Sequence, residues 1–475
     1  MLVHGYIPSD LLKSTIISIP KDNRASLSSS NNYRGISLFN SICKVYDYVV
    51  LYLCGDKLQS SDMQFGFKSG HSTTMCSLVY RELIDYYING KGNVYSCLLD
   101  ASKAFDRVHY GTLFRILIEK QIPACIIRLI FDSYTRQRSC ILWNSFKSEY
   151  FSIANGVKQG GVISPIFFSL YIDPLLIKLC NSGFGCHIRG VFVGSLSYAD
   201  DITLSCPSIG GLNEMLKICS NFAHKHNIIF NSKKTMCIKY GSKLNGEKAF
   251  FNGESLSWVD KVRHLGNYVD NTCTDFIDCK MKKSLFNSYF NKLRANYSKF
   301  QPTVLTNLFK SFCCSFYGSQ LWNFNSEGFD KCCKAWNIAV RILLGLPYNT
   351  HTYLLGPLLG QCNIRQQLYI RNFRFIWYAS RSHNTIVKNC FRYALYNSNT
   401  CIGYKVAFYR YKFNIDLSSN MKNSIARMSA CELSCDQLAV VSNLTTLINV
   451  RSGNTVINDF TTEEVNYMIN MFSTM

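Results

Sequence analysis

The sequence predicts an α+β fold, and three observations carry that expectation. Residues 195–206 (SLSYADDITLSC) read as strand, tight turn, strand: Leu196 and Tyr198 alternate with Ser195 and Ser197, and Ile202 and Leu204 continue the period of two past the turn. Residues 94–99 (VYSCLL) form another strand-like run that ends at Asp100. Beyond Asp278 the pattern is predominantly helical. The hairpin tip holds Asp200 and Asp201 side by side. An Asp pair is good turn chemistry in its own right. Like charges fixed on rigid strands also repel, and a bound cation relieves that repulsion. The further carboxylate at Asp100 favours the second use.

At 475 residues, 47% of them hydrophobic, the chain is globular and long enough for two to four domains with real cores. Lysine and arginine total 51 against 30 acidic residues, a net charge of +21 that points to a polyanionic partner. The excess is uneven: residues 280–427 hold 21 basic side chains and three acidic ones (Glu327, Asp330, Asp416), interleaved with Phe, Tyr and Trp. Cations neutralise phosphates and rings stack on bases, so this half is the expected nucleic-acid track rather than a solvated basic face. The 22 cysteines suggest neither a disulfide framework nor zinc. Cys313-Cys314 and Cys332-Cys333 are adjacent pairs, Cys431 and Cys435 have no His downstream, and no secretory signal opens the chain. Apolar runs break at Pro or Asp within a dozen residues. The expectation is a soluble intracellular protein of the nucleus or cytoplasm, with reduced thiols and no membrane partner.

Taken in order, residues 14–19 (STIISI) are a β-rich run that stops at Pro20 and Lys21. The polar stretch 22–32 (DNRASLSSSNN) is an exposed loop, so Lys21 and Arg34 flank a flexible segment. Residues 37–55 space Leu38, Ile42, Val45, Val49 and Leu53 as one helix face. Residues 64–76 (QFGFKSGHSTTMC) connect into a helix beginning near Thr73. Phe105 and Asp106 follow Asp100 at short range, and the glycines of 155–165 (NGVKQGGVISP) let backbone approach a ligand before an apolar helix over 166–179. A helix over 211–226, a strand within 227–240 around Asn231-Ser232-Lys233-Lys234-Thr235, and a short strand over 262–269 (VRHLGNYV) follow.

Seven motifs in one order, IPK with YRGISL, QFGFKSGHSTT, LLDASKAFD, NGVKQGGVISP, YADD, N-x-x-K-T and HLG, resemble the reverse transcriptase of non-LTR (LINE-type, jockey-like) retrotransposons. The resemblance spans residues 16–270 and continues more loosely to the end. It implies a right-hand polymerase with fingers and palm over 1–270, a helical thumb over 271–346 and a helical, basic C-terminal region over 347–475. Asp100, Asp200 and Asp201 would be the catalytic carboxylates that hold two Mg²⁺ ions. Lys21 and Arg34 match fingers residues that hold a triphosphate, and Phe105 matches the ring under the sugar. Gln159 and Gly160 match the motif lining nucleotide and template. Lys234 matches the palm lysine after the hairpin, and Gly266 falls in the primer-grip strand. The implied partners are an RNA template, a DNA primer and dNTPs. Gly35 departs from the Pro of many relatives, and the chain starts almost at the first fingers motif. An upstream template-gripping extension and an endonuclease are expected in full elements, so the chain reads as a fragment or truncated copy.

The residue types suit the chemistry without the resemblance. Nucleotidyl transfer sets a 3′-hydroxyl in line with an α-phosphate between two cations roughly 3.5–4 Å apart. Such hard cations take oxygen ligands, hence aspartates, and basic loop residues neutralise the outer phosphates. Each residue has a plainer use: Phe105 as core, Gln159 as a helix cap, Lys234 as a solvated charge. RNA-directed DNA synthesis is the expected function. A group II intron maturase-type polymerase and a truncated, non-catalytic nucleic-acid-binding relic are the alternatives.

Overall fold

The run 94–99 alternates poorly because both of its faces are covered. In the computed structural model, which describes residues 5–23, 25–243, 246–297 and 301–430, strand Val94–Asp100 is the middle of a five-stranded sheet. Asp201–Cys206 pairs with it antiparallel on one side and Met236–Tyr240 antiparallel on the other. Ser195–Tyr198 and Ser257–Trp258 form the outer strands. Helix Ile209–Lys225 packs on the central strands and helix Ser164–Cys180 on that helix. The latter is apolar all round and buried from Phe167 to Ile172, which is how an interior helix reads.

A second sheet is built on Lys13–Pro20, antiparallel to Tyr33–Phe39 and parallel to Arg138–Trp143. The polar stretch between the first two is the expected loop, tied by Asn32, whose amide donates to the Asp22 carbonyl at 2.8 Å. These two sheets and their helices belong to one of two compact units, residues 1–76 with 91–259; the other is residues 77–90 with 260–475.

Three local expectations are corrected. Strand Tyr33–Phe39 takes Leu38, so the next helix is Ser41–Cys54. Its buried face is Tyr46, Val50 and Cys54, whereas Ile42, Val45 and Leu53 are exposed; the helix is apolar on both sides, and tertiary packing selected the other stripe. Residues 231–235 form a turn, with strand only from Met236 to Tyr240. Residues 261–270 are a hairpin, Lys261–His264 with Asn267–Asp270, not one strand. Leu265 and Gly266 have φ of 47° and 87°, the pair of positive values a two-residue turn of this hand requires.

In the second unit the helical expectation holds through Ala430. Helices Phe276–Tyr297, Glu327–Leu344, Ile364–Ser380 and Cys401–Phe413 share a core of Phe309, Trp322, Phe329, Trp336, Phe373 and Tyr409. Helix Thr73–Asn89 begins in the first unit, and its residues from Ser77 count with the second. The described cysteines are free thiols, mostly buried; Cys431 and Cys435 lie outside the described residues. Among the described residues no helix is long and apolar enough to cross a membrane.

Candidate active site

Antiparallel register brings the carboxylates together. Asp201 is the direct cross-strand partner of Asp100, and it also pairs with Tyr198, leaving Ala199 and Asp200 as a two-residue turn. Ala199 has φ of 59°, the positive value this tight turn needs at its first central position. The end of the central strand is fastened from below: the Asn231 backbone N–H donates to the Asp100 carbonyl at 2.8 Å, and Ser102 N–H donates to the Ile229 carbonyl at 2.8 Å. The N-x-x-K-T step is therefore the segment that anchors Asp100, and it carries Lys234 on its exposed side.

A second group gathers around the glycine-rich segment. Val157 N–H donates to the Phe105 carbonyl at 2.8 Å and Gly156 N–H to that of Val108 at 2.9 Å. The Gln159 amide donates to Asp106 Oδ1 at 2.7 Å, so it does not cap the following helix. Ser37 N–H donates to the Gln159 carbonyl at 2.7 Å, which docks the segment on the strand that carries Arg34. Gly160 has φ of 120°, and a Cβ there would stand 2.5 Å from the Ser37 carbonyl oxygen. Both facts require glycine. Phe105 lies on Phe168, ring centroids 4.5 Å apart, with Phe67 edge-on at 6.1 Å.

Two named residues make none of the contacts just described. Lys21 is at the base of the loop of the first hairpin, its N–H donating to the Asn32 carbonyl at 2.7 Å and its ammonium to the Asn31 carbonyl at 3.0 Å. Gly266 belongs to the other compact unit, where Lys282 donates to its carbonyl at 2.8 Å and Tyr317 packs against its Cα face.

Sequence reasoning passed over several supporting residues. Asp47 accepts from Val162 N–H at 2.9 Å and so caps the entry to helix Ser164–Cys180. Lys158 donates to Ser133 Oγ at 2.7 Å between the rings of Phe39 and Tyr134; burial pushes its ammonium down to about 8 against the pull of Asp47. Gln64, fully buried, bonds the turn at Ala199. A motif letter was the signal for Gln64 and Lys158; for Asp47, the single acid of an otherwise largely apolar helix was the only one.

Electrostatics set Asp200 and Asp201 against their surroundings. Desolvation raises the Asp201 carboxyl to about 6 although the side chain reaches solvent, with repulsion from Asp200 and then Asp100 adding to it. Asp200 is also raised, by desolvation and by Asp100, while its own amide and the Arg34 guanidinium pull it down.

Residues 19–269 match the reverse transcriptase (RNA-dependent DNA polymerase) family, just over half the chain. The chain belongs to the reverse transcriptase family. It is 24% identical over 291 residues to the Pol polyprotein from the type-2 retrotransposable element R2DM of Drosophila melanogaster, covering 58% of this chain and 26% of that one. It is 24% identical over 339 residues to the RNA-directed DNA polymerase from the mobile element jockey of the same fly, covering 67% and 36%. The chain thus spans about a quarter to a third of the length of these curated relatives. Among solved structures it is similar to apo telomerase from Candida tropicalis, at 12% identity and a TM-score of 0.41 over 89% of this chain and 70% of that one. The mixed helix-and-sheet architecture, with its carboxylates on an antiparallel sheet, is the α+β fold of a right-hand polymerase of this family.

Reverse transcriptases use divalent metal ions. Among the described residues no three His, Cys, Asp or Glu side chains close into a ligand set of their own. A hard divalent cation does not demand one, because water and substrate phosphates complete a shell begun by one or two carboxylates. Asp100 and Asp201 in direct register, with Asp200 in the adjoining turn and all oxygen donors, fit such an ion.

Proposed function

We propose that the chain carries out RNA-templated DNA synthesis for a non-LTR retrotransposon, extending a primer 3′-hydroxyl with dNTPs. The observation that carries this reading is the register of Asp201 with Asp100, beside a turn that holds Asp200, in a chain of the reverse transcriptase family. In this reading Asp100, Asp200 and Asp201 hold two Mg²⁺ ions, which when bound lower the charge at the reacting phosphate. Arg34 and Lys21 neutralise the outer phosphates of the nucleotide, and Phe105 with Gln159 and Gly160 bounds its sugar and base. Lys234 adds positive charge beside the anchored end of the Asp100 strand. Gly266 supports the primer from its hairpin.

The same proposal divides the chain into fingers and palm to residue 270, thumb to 346 and a basic C-terminal region beyond. It sets the work inside the cell, in the nucleus or the cytoplasm, where the free thiols persist. Primer extension by the purified chain on an RNA template, with Mg²⁺ and dNTPs, tests it. DNA product that disappears with Asp100→Asn is expected. Binding of nucleic acid without extension under any divalent ion would leave the relic reading in its place.

A further inference from the structure

We infer that Gln64 is a positioning residue that clamps the turn joining strands Ser195–Tyr198 and Asp201–Cys206. Residues 63–66 run along the outer side of strand Ser195–Tyr198: Ser197 N–H donates to the Met63 carbonyl at 2.9 Å, and Phe65 N–H donates to the Ser197 carbonyl at 2.7 Å. Gln64 forms a parallel bridge with Ser197 there and is fully buried. Its side chain then turns onto the hairpin. Oε1 accepts from Ala199 N–H at 3.0 Å and from Gly66 N–H at 2.8 Å. Nε2 donates to Ser197 Oγ at 3.1 Å and to the Ala199 carbonyl at 3.4 Å.

One amide thus satisfies the N–H of the residue that holds the positive φ and reaches its C=O as well, a carbonyl it shares with Ser197 Oγ, which donates there at 3.1 Å. Only a side chain with a donor and an acceptor at one end can do that. Among the described residues no named strand pairs beyond this edge to hold the turn, and a non-glycine residue leaves φ of 59° readily unless its surroundings impose it. Gly66 completes the device, because a Cβ there would stand 2.5 Å from Ala199 N. Asp200 and Asp201 follow Ala199 directly, so their aim is set by the backbone that Gln64 holds. The clamp rests on the proposed function for its consequence, since what it aims is the cation-binding pair.

The test uses the full chain and three variants, Gln64→Ala, Gln64→Glu and Ser197→Ala. The first removes all four Gln64 bonds, the second sets an acceptor against the Ala199 carbonyl, and the third removes the Gln64–Ser197 bond together with the Ser197 hydroxyl's own bond to the Ala199 carbonyl. Mn²⁺ binding without nucleic acid, followed by electron paramagnetic resonance, is expected to weaken by about tenfold or more for Gln64→Ala, as when a partner that orients metal ligands is lost. Ser197→Ala should fall between that variant and wild type. Amide exchange across residues 199–201 should quicken in Gln64→Ala while strand Val94–Asp100 stays protected. A lowered melting temperature with unchanged Mn²⁺ affinity and unchanged exchange at 199–201 would overturn the clamp. Wild-type protein that binds no Mn²⁺ would instead sink the metal reading, and the exchange measurement would still decide the clamp.

Discussion

Phe105 lies nearly flat on Phe168, with ring centroids 4.5 Å apart and planes 16° from parallel. Phe168 is fully buried in helix Ser164–Cys180, so one half-buried ring is pinned by an immobile one. A ring held that way cannot swing aside for a 2′-hydroxyl. Phe105→Val is expected to raise ribonucleotide use relative to dNTPs by about tenfold or more, the scale of relieving a packing clash. Loss of the stacked pair, about 0.5–1.5 kcal/mol, should lower the melting temperature by only about 1–5 °C. Steady-state incorporation of dNTP and rNTP checks this. A destabilised variant with unchanged sugar preference would return Phe105 to the core.

The carboxylate edge should be a site where activity and stability oppose each other. Asp201 is raised by desolvation and by two like charges, so its ionised form weakens the fold at neutral pH. Asp201→Asn is expected to abolish cation-dependent extension, to leave template affinity within about twofold, and to raise the melting temperature without divalent ions by about 1–3 °C. The gain stays small because the side chain reaches water. Calorimetry in chelator alongside primer extension reads both. Stabilisation absent and extension intact would mean that the three aspartates are turn chemistry.

Much of this site was legible because its signals are local. A period of two on either side of Asp200-Asp201 gives a hairpin and nothing else, and the run 94–99 ends at the residue that the register sets opposite Asp201. Gln64 was visible as a motif letter, but its partners are 133 and 135 residues away and no spacing announces them. Helix Ser41–Cys54 misled for a different reason: Ile42, Val45 and Leu53 make as good a stripe as Tyr46, Val50 and Cys54, and only packing chooses. Gly266 was legible in hindsight, since a glycine between alternating Val262, His264 and Val269 is a turn signal. The grouping of residues 77–90 with the second unit left no trace in composition.

The basic half offers a test of its charge. Helices Phe276–Tyr297 and Glu327–Leu344 line a groove of about 430 Å³ with Lys283, Asn287, Asn291, Arg294, Lys331 and Lys334. Lys331 is engaged with Glu327 at 2.8 Å, which leaves Lys283 and Lys334 as the stronger candidates for phosphate. The double variant Lys283→Ala with Lys334→Ala should lower the slope of log affinity against log salt by about 1.4–1.8, two contacts' worth. Fluorescence anisotropy with primer–template over a salt series gives that slope. If it does not move, the groove faces something other than a phosphate backbone.

Glu82 sets a pH dependence for the second unit. It is fully buried, and its Oε1 accepts from Ile402 N–H, while Asp85 accepts from Cys401 N–H at 2.9 Å; the two acids cap helix Cys401–Phe413. Arg81 pairs with Asp85 at 3.2 Å and with Asp275 at 3.6 Å, and its pull on Glu82 is the smallest of the influences there. Burial, then the charge of Asp85, raises the Glu82 carboxyl to about 8, against the pull of the Ile402 amide and Thr400 hydroxyl. The folded state therefore holds a proton that the unfolded state releases near 4.5. Between those values the folded chain binds more protons at this site, so the stability Glu82 contributes is fully present below about 4.5 and is lost as pH rises through about 8. The loss is on the order of a few kcal/mol. His264, buried and pushed down to about 4, gives the opposite slope at lower pH, which is why the comparison must be between variants. Glu82→Gln keeps the acceptor for Ile402 N–H and removes the titration. Its melting temperature should match or trail wild type at pH 5 and exceed it at pH 8; curves that stay parallel across that range would mean Glu82 is already ionised in the fold at the lower pH.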